Sequence, residues 1–133
     1  MGELYYMMYT GYGGRFPGDY RICLATSRNL IGWERHGVML DESNKDASLF
    51  PEQIDGKFCM LHRRPPHIWL ATSKDLRFWE EHRVLMEAVP DSSWQSEKVG
   101  IAGPPIRTQA GWLLIYHGVS QDKVYSLGIA LLN

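Results

Sequence analysis

A stretch of 17 residues occurs twice in this chain, and this repeat limits the possible folds more than any other feature. Residues 24–40, LATSRNLIGWERHGVML, align without a gap with residues 70–86, LATSKDLRFWEEHRVLM, and nine of the 17 positions are identical. A partial third copy follows, GWLLIYHG at residues 111–118 and YSLGIALLN at residues 125–133. Self-similarity at a fixed spacing predicts a fold that is assembled from repeated supersecondary units.

Each unit of this repeat contains short strands and turn signals. The second copy divides into four strand-like segments: ASLFPEQI, KFCMLH, HIWLATS and FWEEHRVLM (residues 47–54, 57–62, 67–73 and 78–86). An Asp-Gly pair between the first two segments is a strong hairpin signal. The copies are offset by 46 residues, which is typical of a four-stranded propeller blade. A β-sandwich with accidental similarity would not explain why the copies share a turn motif.

The repeat therefore predicts an all-β fold, a partial β-propeller of about two and a half four-stranded antiparallel blades. We predict a single domain over residues 1–133, with blade segments at about 1–40, 41–86 and 87–133 and about ten strands in all. An arc of blades leaves unpaired strand edges and apolar faces at its two ends, which proteins usually cover. A homo-oligomer that covers these open blade edges is one such solution.

Composition and charge exclude several classes of function. The net charge of −1 and the pI of about 6.5 argue against a general nucleic-acid or membrane-surface binder. No apolar run is long enough to span a bilayer and no basic leader precedes an apolar core, so we predict a cytoplasmic protein. Cys23 and Cys59 lie in apolar, strand-like runs, which predicts buried, reduced thiols. No Cys/His spacing indicates a metal site.

Cationic residues are concentrated at one connection between two predicted strands. The sequence HRRPPH, residues 62–67, places two histidines and two arginines around a proline pair. A solvated surface loop is one interpretation, because connections are often polar and proline shapes turns. A binding site for an anion is the other interpretation, and these six residues alone do not decide between them.

Four longer segments resemble the mannoside phosphorylases of glycoside hydrolase family 130. They are residues 5–37, 45–63, 66–86 and 96–119, and they include the strings KDASLFPEQIDGKFCMLHR and SEKVGIAGPPIRTQAGWLLIYHGV. The resemblance implies a five-bladed propeller with its active site at the mouth of the central channel. It implies inverting phosphorolysis of β-1,4-mannosides to mannose 1-phosphate, although some relatives hydrolyse instead. The implied partners are a β-mannoside oligosaccharide and inorganic phosphate, with no cofactor.

Phosphorolysis explains why cations would gather at the inner ends of the blades. Phosphate replaces the activated water of an inverting glycosidase, so the protein must bind and orient a dianion instead of deprotonating a nucleophile. Arginine, lysine and histidine side chains do this. The resemblance and the strand ends together predict these phosphate- and substrate-binding residues: Arg15, Lys45, Asp46, His62, Arg63, Tyr116 and His117. Arg64, His67 and Lys98 are further candidates, for which a solvated surface position is the competing interpretation.

Residues that recur at the blade spacing are assigned to structure instead. Trp33 and Trp79, His36 and His82, and the serines of the two ATS strings are expected to shape each blade.

The general acid of the family is an aspartate in a Glu-Asp-Pro-Arg string that precedes the strand resembling YYMMYT. Only MGEL precedes that strand here, so we expect no catalytic acid in this chain and no turnover by an isolated monomer. Three interpretations remain open. The chain is a fragment or relative of a phosphorylase, a subunit completed by self-association, or a non-catalytic carbohydrate-binding or structural β-propeller fragment.

Overall fold

The computed structural model describes residues 3–133, which form eleven strands. The strands are β1 (Tyr5–Tyr12), β2 (Tyr20–Ser27), β3 (Glu34–Leu40), β4 (Lys45–Leu49), β5 (Phe58–Arg64), β6 (His67–Ser73), β7 (Glu80–Met86), β8 (Lys98–Ile101), β9 (Ile106–Thr108), β10 (Gly111–Val119) and β11 (Tyr125–Leu132). The described part of the chain contains no helix that is long and apolar enough to cross a membrane. The predicted all-β class is confirmed.

The strands form three antiparallel sheets. The first sheet has the order β1-β2-β3, the second β4-β5-β6-β7, and the third β8-β10-β11, with β9 also paired with β10. Strand β8 pairs with residues 116–119 of β10 and β9 with residues 111–113. These two short strands therefore lie end to end along β10, which is why eleven strands are observed where about ten were expected.

The first two copies of the repeat make the same turn, after β2 in the first copy and after β6 in the second. The Ser27 hydroxyl accepts a hydrogen bond from the backbone N–H of Leu30 at 2.8 Å, and the Ser73 hydroxyl accepts one from Leu76 at 2.9 Å. Leu30 and Leu76 both adopt a positive φ, 62° and 65°. The serine side chain thus satisfies a backbone donor in a strained turn, which explains why this motif recurs.

The second sheet is buried on both faces. Met60 and Leu61 follow each other in β5 and point to opposite sides, yet neither is exposed to solvent. Met60 packs in a core with Ile22 and Leu24 of the first sheet. Leu61 packs in a second core with Leu114 of the third sheet. Two apolar cores therefore hold the three sheets in sequence, with the second sheet in the middle.

One face of the third sheet carries apolar side chains, and within residues 3–133 no other sheet packs on it. Ile115 is opposite Ile129 in the pairing of β10 with β11, and Leu113 is opposite Leu131. Ile129 is 73% exposed and Leu131 49%. The alternate residues, such as Leu114 and Ala130, belong to or pack against the core shared with the second sheet. We call Ile115, Leu127, Ile129 and Leu131 the exposed face of the third sheet.

Candidate functional site

The second and third sheets bring two of the predicted site residues, Arg63 and His117, together at the carboxylate of a third, Asp46. Oδ2 of Asp46 lies 2.9 Å from Nη1 of Arg63 and 3.6 Å from Nε2 of His117. Lys45 precedes Asp46 and is paired with Arg63 across the β4–β5 ladder. We call Lys45, Asp46, Arg63 and His117 the cation cluster. Its members come from the start of β4, the end of β5 and the middle of β10.

A bulge in β4 orients Asp46. The register between β4 and β5 shifts between Lys45 and Ser48, and Asp46 has a φ of 56°. A bulge redirects a side chain that a regular strand would point elsewhere. A left-handed conformation at a residue other than glycine persists only where the surroundings hold it. At Asp46, the ion pair with the buried Arg63 is such a restraint.

Gly100 leaves the space in which His117 approaches Asp46. Gly100 of β8 is the pairing partner of His117. A Cβ atom at this position would lie 2.6 Å from Nε2 of His117 and 2.7 Å from Oδ2 of Asp46. Sequence reasoning missed this residue. The available signal was a glycine inside a short strand, which often marks a close approach between groups.

Arg63 is held in the interior with part of its hydrogen-bonding capacity unused. Its side chain is only 4% exposed, and its buried Nε has no hydrogen-bond partner among the described residues. A cavity of about 190 Å³ adjoins it, lined by Tyr20, Ser43, Asn44, Lys45, Arg63 and Pro65. The ammonium group of Lys45 lies 5.1 Å from the centre of the Tyr20 ring. The cavity therefore has a buried guanidinium and a lysine in its wall.

The environment of His117 favours its neutral form. Burial lowers its pKa below the usual value, and the positive charges of Arg63, Lys98 and Lys45 lower it further, against an opposing effect from Asp46. With His117 neutral, the cation cluster carries two positive charges and one negative charge. A bound anion would raise the pKa of His117.

Arg15 lies in the loop between β1 and β2 and pairs with a different carboxylate. Its Nε contacts Oδ2 of Asp19 at 2.9 Å, while its own side chain is 72% exposed. Hydrogen bonds from Arg15 lower the pKa of Asp19 to about 2. The loop is anchored near the cation cluster because the hydroxyl of Ser43 donates to the carbonyl of Gly18 at 2.7 Å. The structure does not bring Arg15 into the ion-pair network of Asp46.

His62 and Tyr116 are buried in the sheets and do not join the cation cluster. His62 has no exposed surface, and its Nδ1 lies 2.9 Å from Nδ2 of Asn44. Tyr116 packs against Trp94 and donates its hydroxyl hydrogen bond to Gln95 at 3.0 Å. Neighbouring residues of a strand point to opposite faces, so His117 reaches the cluster and Tyr116 does not.

The three further candidate residues also have defined positions. Arg64 pairs with Glu42 at 2.9 Å, His67 accepts a hydrogen bond from the backbone of Ala88, and Lys98 lies near enough to influence His117. Across residues 3–133, no group of three or more His, Cys, Asp and Glu side chains could hold a metal ion.

Comparison with known proteins relates this chain to one family. A family model described as beta-1,4-mannooligosaccharide phosphorylase matches residues 1–133. A 1,2-beta-oligomannan phosphorylase from Thermoanaerobacter sp. (strain X514) is 61% identical over 130 residues, covering 98% of this chain and 44% of that protein. A beta-1,2-mannobiose phosphorylase from the same organism is 59% identical over 130 residues, covering 97% of this chain and 42% of that protein.

A solved structure extends the comparison to three dimensions. The beta-1,2-mannobiose phosphorylase from Listeria innocua, in complex with beta-1,2-mannobiose, matches with a TM-score of 0.89 at 33% identity, covering 100% of this chain and 38% of that chain. This match confirms the predicted partial propeller. The chain spans less than half the length of the relatives it matches. By its sequence and its fold, the chain belongs to glycoside hydrolase family 130.

Proposed function

We propose that this chain forms the phosphate-binding part of a β-mannoside phosphorylase active site. The observation that carries the proposal is Arg63, a buried guanidinium that Asp46 orients and whose Nε has no partner within residues 3–133. Lys45 adds a second positive charge beside Arg63, and the neutral His117 adds a hydrogen-bonding ring nitrogen. A buried arginine with unused donors beside a cavity is suited to bind a phosphate oxygen.

In the proposed reaction an oxygen of inorganic phosphate attacks the anomeric carbon from the face opposite the glycosidic bond. The new carbon–oxygen bond gives mannose 1-phosphate with inverted configuration, and the glycosidic oxygen departs with a proton from a general acid. The cation cluster holds the dianion in line and reduces its repulsion with the electron-rich sugar oxygens. We assign no residue of this chain to the general acid.

The linkage that we propose is β-1,2. The resemblance in the sequence implied β-1,4-mannosides, and the description of the family model names that linkage. The two relatives at 61% and 59% identity are instead named for 1,2-beta-oligomannan and beta-1,2-mannobiose. The test uses a protein that contains this chain and is as long as these relatives. It is assayed in parallel with β-1,2-mannobiose and β-1,4-mannobiose, each with inorganic phosphate. Release of mannose 1-phosphate from the β-1,4 disaccharide alone would contradict it.

Phosphate binding can be measured on the chain as it stands. Titration calorimetry with inorganic phosphate is compared between wild type, Arg63→Ala and Lys45→Ala. We expect both variants to bind phosphate at least about tenfold more weakly, because each loses a direct charged contact worth about 1.5–3 kcal/mol. Arg35→Ala is the matched control, since Arg35 is exposed on β3 of the first sheet. Unchanged affinity in both cluster variants would overturn the proposed function.

We also propose that the exposed face of the third sheet is covered by a second copy of the chain. This is the self-association alternative, and the specific observation in its favour is the apolar surface of Leu127 and Ile129, 74% and 73% exposed. Light scattering should give a mass above the 15.3 kDa of one chain. The double variant Leu127→Lys, Ile129→Lys should be monomeric, while Phe78→Lys, at an exposed turn, should not change the mass. A monomeric wild type would exclude self-association.

A further inference from the structure

A hydrogen-bond network of buried and partly buried polar side chains runs through the second sheet and ends at the backbone of Arg63. The Oδ1 atom of Asn44 accepts a hydrogen bond from the backbone N–H of Arg63 at 3.1 Å. Its Nδ2 atom donates to Oε1 of Glu42 at 2.8 Å and lies 2.9 Å from Nδ1 of His62. Nε2 of His62 lies 3.2 Å from Nδ1 of His82. Asn44 and His62 are 1% and 0% exposed.

The orientation of the Asn44 amide follows from its two unambiguous partners. A backbone N–H can only donate, so the atom facing Arg63 is the oxygen. A carboxylate can only accept, so the atom facing Glu42 is the nitrogen. Because that nitrogen has a second hydrogen, it can also donate to His62. Nδ1 of His62 must therefore carry no proton.

The other end of this hydrogen-bond network agrees with that assignment. Nε2 of His82 lies 3.2 Å from the carbonyl oxygen of Trp79, which can only accept, so His82 carries a proton on Nε2. Because Nδ1 of His62 has no proton, Nε2 of His62 carries one, and Nδ1 of His82 accepts the hydrogen bond from it. Every contact then joins one donor to one acceptor. An added proton on either ring would place two donors against each other at one contact or more.

We propose that Asn44 is a positioning residue for Arg63, and that His62 and His82, both neutral with the proton on Nε2, hold the Asn44 amide in the required orientation. The backbone of Arg63 is fixed by Asn44, and its guanidinium is fixed by Asp46. Two restraints at opposite ends of one residue leave little freedom for the side chain in the cavity wall. The sequence motif had suggested only a blade-shaping role for His82.

The protonation states can be tested without any ligand. Nitrogen–proton correlation spectra of the histidine rings distinguish the two neutral tautomers from the charged form. At pH 7 we expect His62 and His82 both to show the Nε2–H pattern. In Asn44→Asp the donor opposite His62 is lost, so His62 should acquire a proton on Nδ1. A Nδ1–H or charged pattern for either ring in the wild type would overturn the proposal, as would an unchanged His62 pattern in Asn44→Asp.

The positioning role has a separate readout, which rests on the phosphate binding proposed above. Asn44→Ala removes the hydrogen bond to the Arg63 backbone but no charge from the site, and we expect phosphate to bind about five- to tenfold more weakly. Ser73→Ala is the control, because it removes a different buried polar group, a hydroxyl that accepts two backbone hydrogen bonds at the far end of the same sheet. Equal affinity in Asn44→Ala and wild type would overturn the positioning role. If the wild type itself does not bind phosphate, the proposed function fails. The histidine spectra still test the proposed hydrogen-bond pattern of Asn44, His62 and His82.

Discussion

The buried His62 should make the chain lose stability on mild acidification. Burial lowers the pKa of His62 from 6.5 to about 4, with Arg64 and His82 contributing in the same direction and Glu42 opposing them. The unfolded chain therefore binds a proton at this residue at a higher pH than the folded chain does. The contribution to stability is complete above pH 6.5 and is lost progressively as the pH falls through 4.

The size of this loss follows from the two pKa values. Between 6.5 in the unfolded chain and about 4 in the folded chain, linkage gives a loss of about 3 kcal/mol at pH 4. This is between about a fifth and about three fifths of the 5–15 kcal/mol by which domains are typically stable. Depressed carboxylate pKa values, such as that of Asp19, also reduce stability in acid, so the contribution of His62 must be isolated by substitution.

Urea unfolding followed by tryptophan fluorescence at pH 7 and pH 4 provides the measurement. In His62→Gln, which keeps a donor and an acceptor but cannot be charged, the loss between the two pH values should be smaller by about 3 kcal/mol than in wild type. His36→Gln is the matched control, because it makes the same substitution at an exposed histidine. His36 occupies the repeat position that corresponds to His82, the neighbour of His62. Equal pH dependence in wild type and His62→Gln would refute the assignment of a buried, neutral His62.

Three further substitutions test the packing and the turns. Leu61→Ala, in the core between the second and third sheets, should cost about 2–5 kcal/mol in urea unfolding; a smaller loss would contradict its close packing. Gly100→Ala should cost about 1–3 kcal/mol and weaken phosphate binding, because its Cβ would displace His117; wild-type phosphate affinity would contradict that reasoning. Ser73→Ala should cost about 1 kcal/mol by loss of the turn hydrogen bonds, and an unchanged urea midpoint would show that the serine does not stabilise the turn.

The strands and turns could be predicted from the sequence because their causes are local. The predicted strand HIWLATS coincides with β6, His67–Ser73, since β-branched and aromatic residues alternate between two turn signals. The Ser73 turn needs only hydrogen bonds within four residues. Because this local unit recurs along the chain, the all-β class and the propeller could both be predicted from it.

The cation cluster could be predicted only in part. Cations at strand ends indicated Lys45, Arg63 and His117, and the structure does bring these near Asp46. The pairing of His117 with Gly100 depends on the register of β8 against β10. Register is a property of two strands that are distant in sequence, and a shift by one residue would place Tyr116 in the position of His117.

The sequence by itself determined the repeated unit and its strand order, because hydrophobic alternation and turn chemistry act over a few neighbouring residues. The family followed from the resemblance of four longer segments. Only the tertiary structure decided which of two equivalent histidines is partly buried. His36 is exposed and contacts the hydroxyl of Thr26 at 2.7 Å, whereas His82 meets His62 inside the second sheet. The second sheet is covered on both faces and the first is not, so identical local motifs acquire different hydrogen-bond partners from what packs against them.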